Sequence, residues 1–347
     1  MKNHDDTFFR MSRDFINTYL PRQRKLSPNT VKSYRITLNQ FLDYLIDVKG
    51  RPISGIVLDD VSRENVSGFL DWLQAEKGST SATRNQKLMA IRSFAKYCSI
   101  TGIENVYLRL DVCKVPVQKA AGGKVEFMSE DAMETLLATP DMKNHYGMRN
   151  GFFMILLYDT AARCQEMLDL RLRDFIIKKD PGSSFVYLTG KGEKTRAVPL
   201  MDKTVDHLQQ YLKFFHPEAS RSPDDYLFYT VIHGARNQMS PDTVAYFIHK
   251  YAARAHKENP DVPVKVHPHM FRHTRAVHLY RSGYPLSLLS EYLGHEHDST
   301  TRIYAQASID MKAEALSKAS NPKNIPDPSS AFWEGDRETI KKLYGLK

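Results

Sequence analysis

The chain has 347 residues, 41% of them hydrophobic and 26% charged. At roughly 150 residues per domain there is room for about two domains, and the composition excludes wholesale disorder, a collagen repeat and a disulfide scaffold. Lysine and arginine number 49 against 40 aspartates and glutamates, a net charge of +9. The excess is uneven. Residues 1–121 hold 19 basic and 12 acidic side chains, a net of +7, which leaves 30 and 28, a net of +2, for the rest. A basic N-terminal part fits a polyanion, nucleic acid foremost, or else a generic basic surface. The longest apolar run, Phe152 to Tyr158, is far short of the ~20 residues that cross a bilayer, so no membrane partner is expected. Met1 to Asp6 carries acids and no apolar stretch, and Cys98, Cys113 and Cys164 form no C-x-x-C pair. The expected location is the reducing cytoplasm, without structural zinc.

In chain order, the N-terminal third reads as a bundle of four or five helices. The first covers Phe8 to Tyr19. Ser27-Pro28 predicts the next start, an N-cap serine with proline at the first helical position. Val31, Tyr34, Leu38, Phe41, Leu42 and Leu45 then keep helical spacing. Ser62 caps a helix carrying Val66, Phe69, Leu70 and Leu73. Another runs from about Ser81 with Leu88, Ile91, Phe94, Ala95 and Cys98 inward. Two polar faces stand out: Thr30, Lys32, Ser33 and Arg35 on one helix, and Thr83, Arg84, Asn85, Lys87 and Arg92 on the other. They are either solvated faces or contacts to phosphates and a DNA groove, which use the same residue types.

Residues 114–124 read as a linker with three lysines and no acid. Ser129 caps the first helix of a second domain, with Glu130 and Asp131 at the positive end of its dipole. Gly151 to Leu170 reads as one apolar helix through the core. Three short strands follow at Phe175–Ile177, Phe185–Leu188 and Arg196–Leu200, and helices run on to about Ser320. Residues 321–330 hold three prolines, and Asp336 to Tyr344 is a short terminal helix behind Phe332-Trp333. The fold class is mostly α with a small antiparallel sheet. The domain limits are 1–113, linker 114–124, 125–320 and a tail 321–347.

The chemistry concentrates between His267 and Tyr304. His269, Arg272 and His273 follow Pro268 at i, i+3 and i+4, on one helix face. Gly294 is a left-handed cap, which fixes His295 at a helix end. Tyr304 lies about two turns into a helix capped by Asp298. Gly190-Lys191-Gly192 sets a lysine at a hairpin tip. Arg163 lies three residues before Glu166, either as a buried ion pair or as a working cation held by its acid. His273 reads as a helix-packing histidine. His267, His269, His273, His295 and His297 raise a metal site, but no H-E-x-x-H and no carboxylate cluster accompanies them.

The ordered set Ala162-Arg163-Cys164-Gln165-Glu166, Gly190-Lys191-Gly192-Glu193-Lys194-Thr195-Arg196, His269-x-x-Arg272-His273-Thr274, Leu293-Gly294-His295 and Tyr304 resembles the tyrosine recombinase (phage integrase) family. The resemblance covers about residues 8–310, in a Xer-like or transposon-type arrangement without an arm-binding domain. It implies a SAM-like core-binding domain followed by a catalytic domain. The chain departs from the family at Ala161-Ala162, where glycine is usual near the first arginine, and at Phe271, where leucine is usual. The resemblance further implies site-specific cutting and rejoining of DNA through a 3′-phosphotyrosyl intermediate, for a mobile element or for chromosome resolution. Tyr304 would be the nucleophile, His269 the general base, Lys191 the general acid, and Arg163, Arg272 and His295 the groups on the phosphate oxygens. Glu166 would orient Arg163. Expected partners are double-stranded DNA and further copies of the chain, a tetramer joined through the C-terminal helix. No cofactor, metal or ATP is expected. The competing expectations are a type IB topoisomerase-like enzyme, a DNA-binding module with a dead site, and a metal nuclease.

Overall fold

The computed structural model describes residues 7–119, 125–190, 192–295, 301, 303–304 and 336–346; Lys191, His297 and Asp298 lie outside them. The chain divides into two compact units, residues 1–123 and 124–347.

The first unit is helical. Thr7–Asp14 (α1) continues into a wider π turn over Phe15–Gln23. Pro28–Asp43 (α2) starts where Ser27 accepts the Thr30 amide and proline occupies the first turn. Arg63–Ala75 (α3) is capped by Ser62, and Ser81–Thr101 (α4) by Thr80. Val106–Cys113 (α5) packs back on α4. Phe8, Phe15, Phe41, Phe69, Ile91, Phe94 and Val112 fill one core. The stretch expected to begin a linker at residue 114 is packed over its first part. Val115 is buried in that core. Arg92 donates to the Cys113 and Val115 carbonyls and Arg84 to that of Pro116. Asn85 exchanges two hydrogen bonds with the Gln118 backbone.

In the second unit, Glu130–Ala138 (α6) follows its Ser129 cap. The single helix expected over 151–170 is two. His145–Thr160 (α7) ends because Ala161 turns left-handed, with φ at +48°, and Cys164–Asp169 (α8) starts afresh. Arg163 is therefore the N-cap residue of α8 and not a mid-helix side chain. Phe175–Ile176 (β1), Phe185–Thr189 (β2) and Thr195–Pro199 (β3) form an antiparallel sheet in that order. Asp202–Phe215 (α9) follows, then a hairpin of Tyr229–Ile232 (β4) and Ala235–Gln238 (β5) where only helix was expected. Pro241–Glu258 (α10), Pro268–Arg281 (α11) and Leu286–Leu293 (α12) follow, Thr301, Ile303 and Tyr304 are helical, and Arg337–Leu343 is a C-terminal helix.

The main core gathers Phe152, Phe153, Leu168, Val186, Leu188, Val198, Tyr211, Phe228 and Phe247. α11 bridges two cores. Met270 and Phe271 enter the main one, while Ala276 and Val277 join Ala161, Leu289, Leu293 and Tyr304 in a smaller one.

Ala161 is buried and left-handed at once. Glycine there relieves about 1–2 kcal/mol of backbone cost and loses a buried methyl worth about 0.8 kcal/mol. Ala161→Gly should hold or raise the thermal midpoint by a few degrees, and Ala161→Val should lower it, because a β-branched residue tolerates positive φ poorly. Thermal unfolding followed by circular dichroism checks both signs.

Candidate active site

Arg163, Glu166, Arg272, His273, His295 and Tyr304 come together at the ends of α7 and α12. Arg163 enters at the start of α8 in an extended conformation. Glu166, one turn later, reaches back to accept the Arg163 backbone amide at 2.9 Å and its Nη1 at 2.7 Å. This carboxylate is buried, and Arg196 of β3 also forks onto it, at 3.1 and 2.8 Å. Burial pushes the Glu166 pKa up. The bonds and charge of Arg196, then those of Arg163, outweigh this and hold it at about 2. Arg163 keeps its side chain 37% exposed, so part of its guanidinium is open to a ligand.

Arg272 is 3% exposed. Its Nη1 donates to the Ala161 carbonyl at 2.8 Å and its Nη2 to the Leu293 carbonyl at 2.5 Å. Both acceptors lie at helix C-termini, where carbonyls have no partner within the helix. Burial, then the charges of Arg163 and Arg196, bring Arg272 down to about 10, which leaves it a cation at neutral pH. Gly294 caps α12 with φ at +62°, as expected, and His295 follows. The His295 Nδ1 lies 2.9 Å from the Thr301 hydroxyl.

Tyr304 is 1% exposed, and its hydroxyl lies 2.9 Å from the Nδ1 of His273. His273, read from the sequence as a helix-packing and supporting residue, is hydrogen-bonded to the tyrosine, and the His295 ring lies parallel to the tyrosine ring at 6.4 Å. His269 lies one turn earlier, with ring centroids 6.5 Å apart. Burial, then the charges of His269, Arg272 and His267, hold His273 at about 4. The ring is neutral at neutral pH, and with its proton on Nε2 the tyrosine hydroxyl donates to Nδ1. Burial raises the Tyr304 pKa, against the pull of Arg272 and Arg163. His269 is also shifted down, by the protein crowding its ring and then by Arg272, His267 and Arg163. It is thus a neutral base next to both arginines.

Lys191 falls outside the described residues. Its neighbours form a close hairpin neck, with the Gly190 amide donating to the Lys194 carbonyl at 2.9 Å. Among the described residues no three His, Cys, Asp or Glu side chains are grouped to hold a metal ion. No described helix is long and apolar enough to cross a membrane.

The residues singled out for DNA differ in how they are presented. Lys32 and Arg35 are exposed on α2. Thr30, Ser33, Thr83, Asn85, Lys87 and Arg92 are partly so. Gln86 donates to Ser33 at 3.3 Å, which joins the polar faces of α2 and α4 into one surface. Arg84 departs from the expectation. It is 3% exposed, and its guanidinium holds the Pro116 carbonyl, so it offers no surface to a phosphate in this conformation. Sequence reasoning gave no role to Arg196 and no contact with Tyr304 to His273. The available signal for Arg196 was its phase on β3, in step with inward-facing Val198.

Residues 126–310 match the Phage integrase family, and residues 15–99 match the Phage integrase, N-terminal SAM-like domain. A Tyrosine recombinase of Pseudothermotoga lettingae is 31% identical over 86% of this chain and 95% of its own. Tyrosine recombinase XerD of Staphylococcus epidermidis is 28% identical, over 85% and 93%. The XerH site-specific recombinase bound to palindromic difH substrate shares the fold, with a TM-score of 0.65 at 22% identity over 85% of this chain and 81% of that one. Both family domains are matched in order, and a relative 31% identical aligns along nearly its whole length. The chain belongs to the phage integrase family, the tyrosine recombinases.

Proposed function

We propose that this tyrosine recombinase cuts and rejoins DNA at specific sites through Tyr304, for a mobile element or for chromosome resolution. The observation that carries this reading is the convergence of two arginines, His295 and a tyrosine hydroxyl around the ends of α7 and α12. The Tyr304 oxygen attacks a backbone phosphorus, a 3′-phosphotyrosyl bond forms, and the bond to the 5′-oxygen breaks. The tyrosine proton passes to His269, and Lys191 protonates the departing oxygen. Arg163, Arg272 and His295 stabilise charge on the non-bridging oxygens. One phosphodiester is exchanged for another, so the step needs no ATP. The joined faces of α2 and α4, with Thr30, Lys32, Ser33, Arg35, Thr83, Asn85, Lys87 and Arg92, supply phosphate and groove contacts to double-stranded DNA. Arg84 serves that face from beneath, by fixing the segment at Pro116.

The described geometry is a resting one. A neutral His273 with a pKa near 4 is too weak to take the proton of a buried tyrosine. Tyr304 must leave it to reach a phosphate. Bound phosphate brings negative charge beside His269 and raises its basicity as it arrives.

A nicked duplex drawn from the flanks of the chain's own locus, incubated without divalent metal, tests the reading. The wild type should give a denaturant-stable protein–DNA adduct, and Tyr304→Phe none. Arg163→Ala and Arg272→Ala should each slow adduct formation by about 100-fold or more. Tight binding with no adduct on any flanking sequence would point instead to a DNA-binding module.

The C-terminal helix, with Ile340, Leu343 and Tyr344 exposed, serves in this reading as the contact that docks on a neighbouring copy and builds a tetramer on DNA. A chain ending at Asn321 should still bind one duplex but fail to form higher complexes in gel-shift and light-scattering assays. Normal assembly by that chain would refute the docking role.

The histidine shifts set an acid limit. Unfolded histidine titrates near 6.5, while His273 and His295 are held at about 4 in the folded chain. The unfolded state binds these protons first, so the full stability is present above roughly pH 6.5 and is lost as pH falls toward 4. The thermal midpoint should drop across that window, and the drop should be shallower in His273→Asn. An equal slope in both proteins would contradict the assignment.

A further inference from the structure

Arg196 lies on the wrong face for a charged residue. It pairs across the sheet with buried Leu188 and is in phase with buried Val198, so β3 turns it inward. Its side chain is only 12% exposed. A cation in such a place needs partners, and it has three acceptors: the two Glu166 oxygens and, from Nε at 2.9 Å, the Tyr292 carbonyl. Tyr292 is three residues before His295. Arg163 reaches the same helix end through the Gly294 carbonyl, at 3.3 Å.

Two glycines make room for this cluster. A Cβ on Gly294 would sit 3.0–3.3 Å from the Arg196 guanidinium and its Cδ, at a residue whose φ is also positive. A Cβ on Gly190, in the neck of the β2–β3 hairpin, would sit 2.9 Å from the Glu166 Oε1. The hairpin, the start of α8 and the end of α12 thus close on one carboxylate.

The charge balance gives the cluster its purpose. Arg163 and Glu166 alone would be a neutral pair facing the DNA phosphate. With Arg196 on the far side of the carboxylate, two guanidinium groups share one negative charge and the trio carries a net +1. We propose that Arg196 is a positioning residue of the strand-cleavage reaction: it takes up the Glu166 charge so that Arg163 meets the phosphate as an effective cation. It also sets the His295 end of α12 through Tyr292. This rests on the reading of Tyr304 as the nucleophile.

The test compares adduct formation on two nicked duplexes, one with an ordinary scissile phosphodiester and one with a neutral methylphosphonate there. The methyl group removes one negative charge from the transition state and with it part of the demand for positive charge. Arg196→Gln should slow cleavage of the phosphodiester by about 10- to 100-fold, a fraction of what losing a direct oxyanion contact costs. On the methylphosphonate the loss should shrink to less than about fivefold, as expected for a purely electrostatic effect. Glu166→Gln placed in the Arg196→Gln background should recover cleavage of the phosphodiester, since the charge to be offset is gone. Arg196→Lys keeps the charge without the fork, and it should stay within about tenfold of wild type on the phosphodiester. It is the deciding variant if Arg196→Gln does not fold, as judged by thermal unfolding and DNA binding. An equal loss on both substrates with no recovery by Glu166→Gln would overturn the proposal and leave Arg196 a structural strut. So would a more than 100-fold loss in a folded Arg196→Lys. Failure of the wild type to form any adduct would instead count against Tyr304 as nucleophile and is distinct from both.

Discussion

Three guanidinium groups crowd one end of the catalytic unit, and their mutual repulsion is the constraint around which the site is built. Burial, and then the charges of Arg163 and Arg196, lower the pKa of Arg272. A single buried carboxylate, Glu166, cannot neutralise all three, and full neutralisation would remove the positive charge that the proposed reaction uses on a phosphate. The remaining attraction comes from backbone. The carbonyls of Ala161, Tyr292, Leu293 and Gly294 each accept from one of these arginines. All four lie at the C-terminal ends of α7 and α12, where partial negative charge collects. Two helix ends therefore hold the cations in place without cancelling their charge.

This explains why the chain breaks where it does. A continuous helix over 151–170 would bury the Ala161 carbonyl in its own ladder and carry Arg163 away into the core. The left-handed turn at Ala161 frees that carbonyl for Arg272 and swings Arg163 to the start of α8, where Glu166 can reach its amide. The departure from glycine at this position is tolerated because the alanine methyl packs in the small core. Local backbone cost is offset by burial, and both serve the same pair of arginines.

Much of this was legible in the residues. Ser27-Pro28, Ser62 and Ser129 announce helix starts through side-chain chemistry that acts within one turn, and Gly294 announces a stop. The break at Ala161 was not legible, because alanine is a strong helix former and only tertiary bonds to its carbonyl favour the turn. The β4–β5 hairpin buries none of its residues and leaves Val231 and Ile232 exposed, so no alternation of inward apolar residues marks it. The stretch at 114–118 looks like a linker by composition, yet Arg84, Asn85 and Arg92 hold its backbone from 23 to 33 residues away. Long-range partners of this kind leave no periodic trace. The same holds for His273, whose contact with Tyr304 spans 31 residues.

The placement of Tyr304, the proposed nucleophile, connects stability to control. The Tyr304 ring is part of the small core with Ala276, Val277, Leu289 and Leu293, and its hydroxyl is satisfied by His273. Exposing a ring of this size forfeits about 2 kcal/mol of burial, in addition to the hydrogen bond. In the proposed reaction that free energy comes from contacts made only when DNA is present. Arg163 and Arg272 are proposed to supply it, by drawing a phosphate to their positive charge. On this reading of the reaction, the core that stabilises this unit also holds the tyrosine back until a correctly placed phosphate competes for it.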